Sequence, residues 1–245
     1  MSNSVQQSNE QMSALATKQA TSAWLTWNAI DIDQRVTLIG QWSELLKLQH
    51  SLGLLPAQMV DFHTQHAVPF ISSGEEMPGP TGESNVLSTS GRGPFVIMAE
   101  QETPVTAFIA LLSCALVAGN SVVMASLPEY EDILSTLEQV CAFSDIEMPV
   151  VAVKDAAALE NIIIDPAIAG VGFVGSEAEA IRLNRVLANR QGQIALLIVE
   201  TDLEGLQMVR DQSLVLRFIT EKTLTTNVTA VGGNATLLAL GCGDQ

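Results

Sequence analysis

Apolar residues recur at near-helical spacing from Gln11 to Trp27, at Met12, Leu15, Ala16, Ala23, Trp24 and Trp27. This spacing predicts an amphipathic helix behind an unstructured head. Asp33 opens a second predicted helix, Gln34 to Gln49, and the two make an N-terminal helical arm. Gly53-Leu-Leu-Pro56 breaks that pattern. From Ser72 to Gly93 the chain is rich in Gly, Pro and Ser, including Met77-Pro-Gly-Pro-Thr-Gly-Glu-Ser-Asn85, and reads as a long ordered loop or linker.

From Pro94 the pattern changes to short β-branched runs alternating with helices. Strands are expected at 95–98, 121–125, 150–153, 171–174 and 194–199, and helices at 104–118, 129–143, 156–161 and 177–190. Such alternation predicts an α/β unit: a parallel sheet flanked by helices on both faces. The punctuation agrees. Thr103 is expected to cap a helix with Pro104 at its first position, Gly119-Asn120 closes that helix, and Ser176 with Glu179 forms a capping box. The last forty residues differ, because Leu214–Thr220 and Thr223–Val228 read as two strands of a projecting β-hairpin flap, followed by Gly232-Gly233-Asn234 and an apolar end. Three regions follow: arm and loop (1–93), alternating unit (94–205), flap and terminal motif (206–245).

The 245 residues are 47% hydrophobic and 16% charged, with 27 acidic against 11 basic side chains and a net charge of −16. That core can fold, and the acidic surface repels nucleic acid and anionic membranes. The polar start lacks the order of a signal peptide, and no apolar run reaches the roughly 18 residues of a membrane span, so the expectation is a cytoplasmic protein.

Little in the sequence carries chemistry. Cys114 sits in the apolar run Phe108–Val117, where burial makes a thiol inert, Cys141 lies near a helix end and Cys242 in the tail. His63 and His66, at i and i+3, share a helix face and with Asp61 could suggest a metal site, but a third and fourth ligand are not in sight, so they read as a solvated surface pair, with no metal expected. Gly175-Ser176 starts a helix whose free amides could receive a pyrophosphate, although Glu177 and Glu179 add negative charge beside it.

The run Leu116-Val-Ala-Gly-Asn-Ser-Val-Val-Met-Ala-Ser-Leu-Pro-Glu129, then Val171-Gly-Phe-Val-Gly-Ser176, and Ala23-Trp24 followed by Arg35, resemble the Rossmann-like cofactor domain of the aldehyde dehydrogenase superfamily. Met77–Asn85 and Glu221–Leu240 narrow the resemblance to the C-terminal aldehyde-dehydrogenase-like domain of long forms of proline utilization A, the bifunctional proline dehydrogenase and 1-pyrroline-5-carboxylate dehydrogenase. The resemblance implies a cofactor-type domain with an oligomerisation flap, not itself the catalytic module, and here expected as a stand-alone protein. It also implies that Ala125 stands where the family has the lysine that holds the adenosine ribose. Glu200 falls at the family's general-base position, yet no cysteine falls in the catalytic cysteine motif. Gly175, Ser176 and Glu200 thus mark a vestigial cofactor site, and NAD is not expected to bind.

The leading expectation is a non-catalytic accessory or oligomerisation protein linked to proline catabolism. It would act through Thr223, Leu224, Thr225, Asn227, Gly232, Gly233, Asn234, Leu237 and Leu238, as a homodimer through the flap or on a proline utilization enzyme. The alternatives are an NAD-dependent 1-pyrroline-5-carboxylate dehydrogenase and a nucleotide-sensing module.

Overall fold

A computed structural model describes residues 2–71, 74–79, 82–154 and 156–227. In chain order the elements are α1 (Ser2–Asn28), α2 (Ile32–Lys47), α3 (Leu55–Ala67), β1 (Glu75–Met77), β2 (Glu83–Gly91), β3 (Phe95–Ala99), α4 (Val105–Val117), β4 (Val122–Ala125), α5 (Glu131–Phe143), β5 (Val150–Val153), α6 (Ala156–Ile163), β6 (Gly170–Val174), α7 (Glu177–Ala188), β7 (Leu196–Glu200) and β8 (Ile219–Asn227). Strands β3 to β7 form one parallel sheet in the order β5-β4-β3-β6-β7, with helices on both faces.

Because side chains alternate along a strand, an all-apolar strand must feed two cores. In β3 and β4, Phe95, Ile97, Val122 and Met124 face the core shared with α2 to α5, while Val96, Val123 and Ala125 face the one shared with α1, α6 and α7. Helix α4 is buried from Ala107 to Val117 because the sheet covers one side of it and α2 and α3 the other. Trp27 and Trp42 close the first core, their indole N–H groups donating to the carbonyls of Leu116 (2.8 Å) and Ile133 (3.3 Å).

Several expectations are corrected. The head is helical, since α1 begins at Ser2. Pro56 does not only end the arm: it occupies the first turn of α3, where its missing N–H costs nothing. Asp31, not Asp33, caps α2, and Pro104, not Thr103, is the cap residue of α4, which has no side-chain cap, the Thr103 hydroxyl donating instead to the Glu100 carbonyl.

The largest correction concerns the flap. Leu214–Arg217 is a short 3₁₀ turn and β8 is a single strand, so no hairpin forms within the described residues 214–227. Its partner is β2, inside the segment read as a loop, paired antiparallel from Glu83↔Asn227 to Gly91↔Ile219, with β1 on the far side of β2. Thr225 donates its hydroxyl to the Asn85 side-chain oxygen across this ribbon at 2.6 Å.

Both strands of the ribbon are rooted at the end of α4. Gly119 (φ +96°) and Asn120 close the helix with N–H groups donating to the carbonyls of Leu116 and Ala115. Buried Asn120 then accepts from Gly93 N–H (3.1 Å) and donates its amide to the Ala115 (3.1 Å) and Phe218 (2.9 Å) carbonyls. Asn28 accepts from Gly91 N–H at 2.9 Å. A β-carbon on Gly91 would fall 2.5 Å from the Gly119 carbonyl, so the two backbones meet where side chains do not fit.

Asn120→Ala should therefore strand several buried backbone groups and destabilise the fold by about 2–4 kcal/mol. Urea unfolding of the variant beside the parent measures this.

Candidate functional site

The sequence-derived site residues lie at the C-terminal edge of the parallel sheet, where open α/β sheets hold ligands. Gly175 and Ser176 join β6 to α7, and Glu200 ends the neighbouring strand β7, its carbonyl accepting from Gly175 N–H at 3.0 Å. The structure therefore brings Gly175, Ser176 and Glu200 together.

What fills the helix start is a residue the sequence reading passed over. Glu100, just beyond β3, accepts the Ser176 backbone N–H (2.8 Å) on one carboxylate oxygen and the Ser176 hydroxyl (2.9 Å) on the other. A β-carbon at Gly175 would sit 2.8 Å from the same carboxylate and 2.5 Å from the Phe173 ring, so only glycine admits this approach. An anion at a helix N-terminus is stabilised by the free amides and the dipole. Here the anion belongs to the chain. The capping box is consequently half formed: Ser176 accepts from Glu179 N–H at 3.4 Å, but the Glu179 carboxylate turns to the Arg182 guanidinium, which holds it below the usual carboxylate range.

Glu200 is buried, with both oxygens in use, accepting from Asp202 N–H (3.0 Å) and Val209 N–H (3.0 Å). It anchors the irregular segment 201–209 onto the sheet. Ala125 ends β4 beside a groove of about 440 Å³ whose lining includes Ser126, Glu131 and Glu138 and no cation. That lining repels phosphate.

Burial pushes the Cys114 thiol well above its ordinary value and the Cys141 thiol up to about 11, so neither presents a thiolate near neutral pH. Cys242 lies outside the described residues, as do Gly232, Gly233, Asn234, Leu237 and Leu238. Thr223, Leu224, Thr225 and Asn227 are exposed on β8, away from the Gly175–Ser176 turn.

The reading of His63 and His66 as a solvated surface pair is corrected for His63. Its ring is buried, donating from Nε2 to the Val209 carbonyl at 2.7 Å, while His66 bonds the Phe62 carbonyl and Asp61 pairs with Lys47 at 3.0 Å. The sequence signal was available, since His63 follows Val60 by one helical turn on the apolar face of α3.

Burial lowers His63 to about 4 from an ordinary 6.5. The unfolded chain then takes up the proton first as pH drops, so the contribution is complete above pH 6.5 and is lost as pH falls towards 4. The expected loss between pH 7 and pH 5 is about 2 kcal/mol. His63→Gln should flatten that part of the urea-midpoint profile. Glu200→Ala, which frees two backbone N–H groups, should cost about 2–4 kcal/mol in the same assay.

No family model matches the sequence. The bifunctional protein PutA of Rhizobium meliloti is 30% identical over 168 residues, 68% of this chain and 12% of that protein. Among solved structures, a variant of proline utilization A from Bradyrhizobium japonicum superposes with a TM-score of 0.66 at 28% identity, over 78% of this chain and 22% of that one. A variant of 1-pyrroline-5-carboxylate dehydrogenase from Thermus thermophilus superposes at 0.65 with 15% identity, over 78% and 42%, a likeness of fold. This chain spans about an eighth of the PutA protein, and over most of its own length it resembles proline utilization A and shares the α/β fold of the aldehyde dehydrogenase superfamily.

Proposed function

We propose that the chain is a non-catalytic, aldehyde-dehydrogenase-like accessory or oligomerisation protein linked to proline catabolism, and that it takes no nicotinamide cofactor. The link rests on its similarity to proline utilization A. The observation that carries the non-catalytic reading is the Glu100 carboxylate on Ser176, at the helix start where a dinucleotide phosphate would otherwise lie. An incoming phosphate would have to displace it against the repulsion of Glu177 and the rest of a chain at −16. The two described cysteines support the same reading, as both are buried thiols.

The role that remains is contact. Strand β8 pairs with β2 on one side, and no described strand covers its other edge, a nine-residue run in which everything after Ile219 is exposed. Such an edge is a template for another strand. A second copy of this chain, related by a two-fold axis, or a proline-catabolic enzyme would satisfy it.

Purified protein given glutamate semialdehyde and NAD should produce no absorbance at 340 nm above a protein-free control, and turnover would overturn the non-catalytic reading. The contact reading is checked by sedimentation. The parent chain should sediment as a dimer at micromolar concentration, and Leu224→Asp, on the exposed ribbon, should weaken that association at least tenfold with unchanged far-ultraviolet circular dichroism.

A further inference from the structure

A second concavity lies apart from both the Ser176 turn and the flap. It has a volume of about 560 Å³ between α3, the start of α4 and the segment from Leu206 to Gln212, which is in the size range of small-molecule sites. Its walls are apolar: Met59 and Phe62 from α3, Pro104 from the head of α4, and Leu206. One cation, Arg210, stands among the lining residues, and none of them is acidic. On a chain with 11 basic and 27 acidic side chains that composition is unusual.

The walls are fixed before any ligand arrives. The Phe62 ring packs on His66 with centroids 4.3 Å apart and meets the edge of His63 at 5.0 Å. His63 is in turn bonded to the Val209 carbonyl, one residue before Arg210, and buried Glu200 accepts the Val209 N–H. The backbone that carries the guanidinium is thus tied to α3 and to the sheet. The neighbouring carboxylate, Asp211, is turned away, accepting from the backbone N–H and hydroxyl of Ser213 at 2.8 Å each. Helix α4 begins at this cavity with no side chain capping it, and Thr106 of its first turn is in the lining. An apolar cleft with one guanidinium, carried on a tied backbone, and an uncapped helix start selects a ligand with a hydrocarbon body and a single acid group.

We propose that this cavity binds a small amphipathic monocarboxylate, its acid group at Arg210 and its hydrocarbon against Met59, Phe62 and Leu206. The site needs neither the flap nor the dinucleotide position, so it stands or falls independently of the accessory reading.

Calorimetry with octanoate and with octanol on the full chain tests it. Octanoate should bind saturably, one per chain, and more tightly than octanol. Arg210→Gln, an exposed residue whose change leaves the core alone, should weaken octanoate about tenfold and leave octanol unchanged. Gln58→Trp, which fills the mouth from the exposed side of α3, should abolish both. No saturation by low-millimolar octanoate would overturn the proposal, as would equal affinity in Arg210→Gln or binding that survives Gln58→Trp. Equal binding of octanol and octanoate by the parent chain would also overturn it, and would identify instead an apolar groove of the kind that receives a partner's helix.

Discussion

The close passage of two backbones at Gly91 and Gly119, fastened by Asn28 and Asn120, is the constraint on which the architecture turns. A long antiparallel ribbon has no core of its own and holds a direction only if its base is held. Asn120 binds both sides of that base, accepting from Gly93 just before β3 and donating to Phe218 just before β8. Arg35 adds to the junction from α2 by donating to the Asn28 and Ile30 carbonyls, its guanidinium buried without an acidic partner in hydrogen-bond contact among the described residues. The ring of Phe218 packs on Phe95, so the ribbon's base is continuous with the sheet's core. Helix end, sheet and flap therefore share one polar knot, and a buried amide network of this type fixes geometry because each partner left unpaired is costly.

What could be read from the sequence follows from the range of the interactions concerned. The parallel sheet was legible because its information is local: Val122–Ala125 and Gly170–Val174 are apolar on both faces, and the glycine and serine at their ends mark the turns. Helix α3 and strand β2 were not. Pro56 signals a helix start as well as it signals a break, and only the apolar face of the residues after it decides between the two. Ser84–Ser90 is half-buried throughout, and its two apolar residues, Val86 and Leu87, are adjacent, so no alternation shows that it is a strand; its identity is conferred by β8, far away along the chain. The candidate site divides in the same way. Ser176 was legible as a cap, whereas its contact with Glu100 spans 76 residues and no local pattern encodes it.

Electrostatics and packing reinforce each other along the C-terminal edge of the sheet. Two carboxylates there, Glu100 and Glu200, are both engaged by backbone N–H groups, one at the head of α7 and one in the segment that follows β7. Neither needs a basic partner, which suits a chain with few bases. Both carboxylates organise the loops at this edge of the sheet.

The Glu100 contact also changes how the fold answers a soluble anion. A tethered carboxylate does not dilute: its local concentration beside Ser176 is independent of protein concentration, and a free phosphate gains access only during the fraction of time that the tether is off. Apparent affinity scales with that fraction, so a site plugged 99% of the time would bind about a hundredfold more weakly than its amides alone would allow. One acidic residue at the end of β3 would thus weaken anion binding at this helix start while the strands, the glycine and the helix that shape it stay in place.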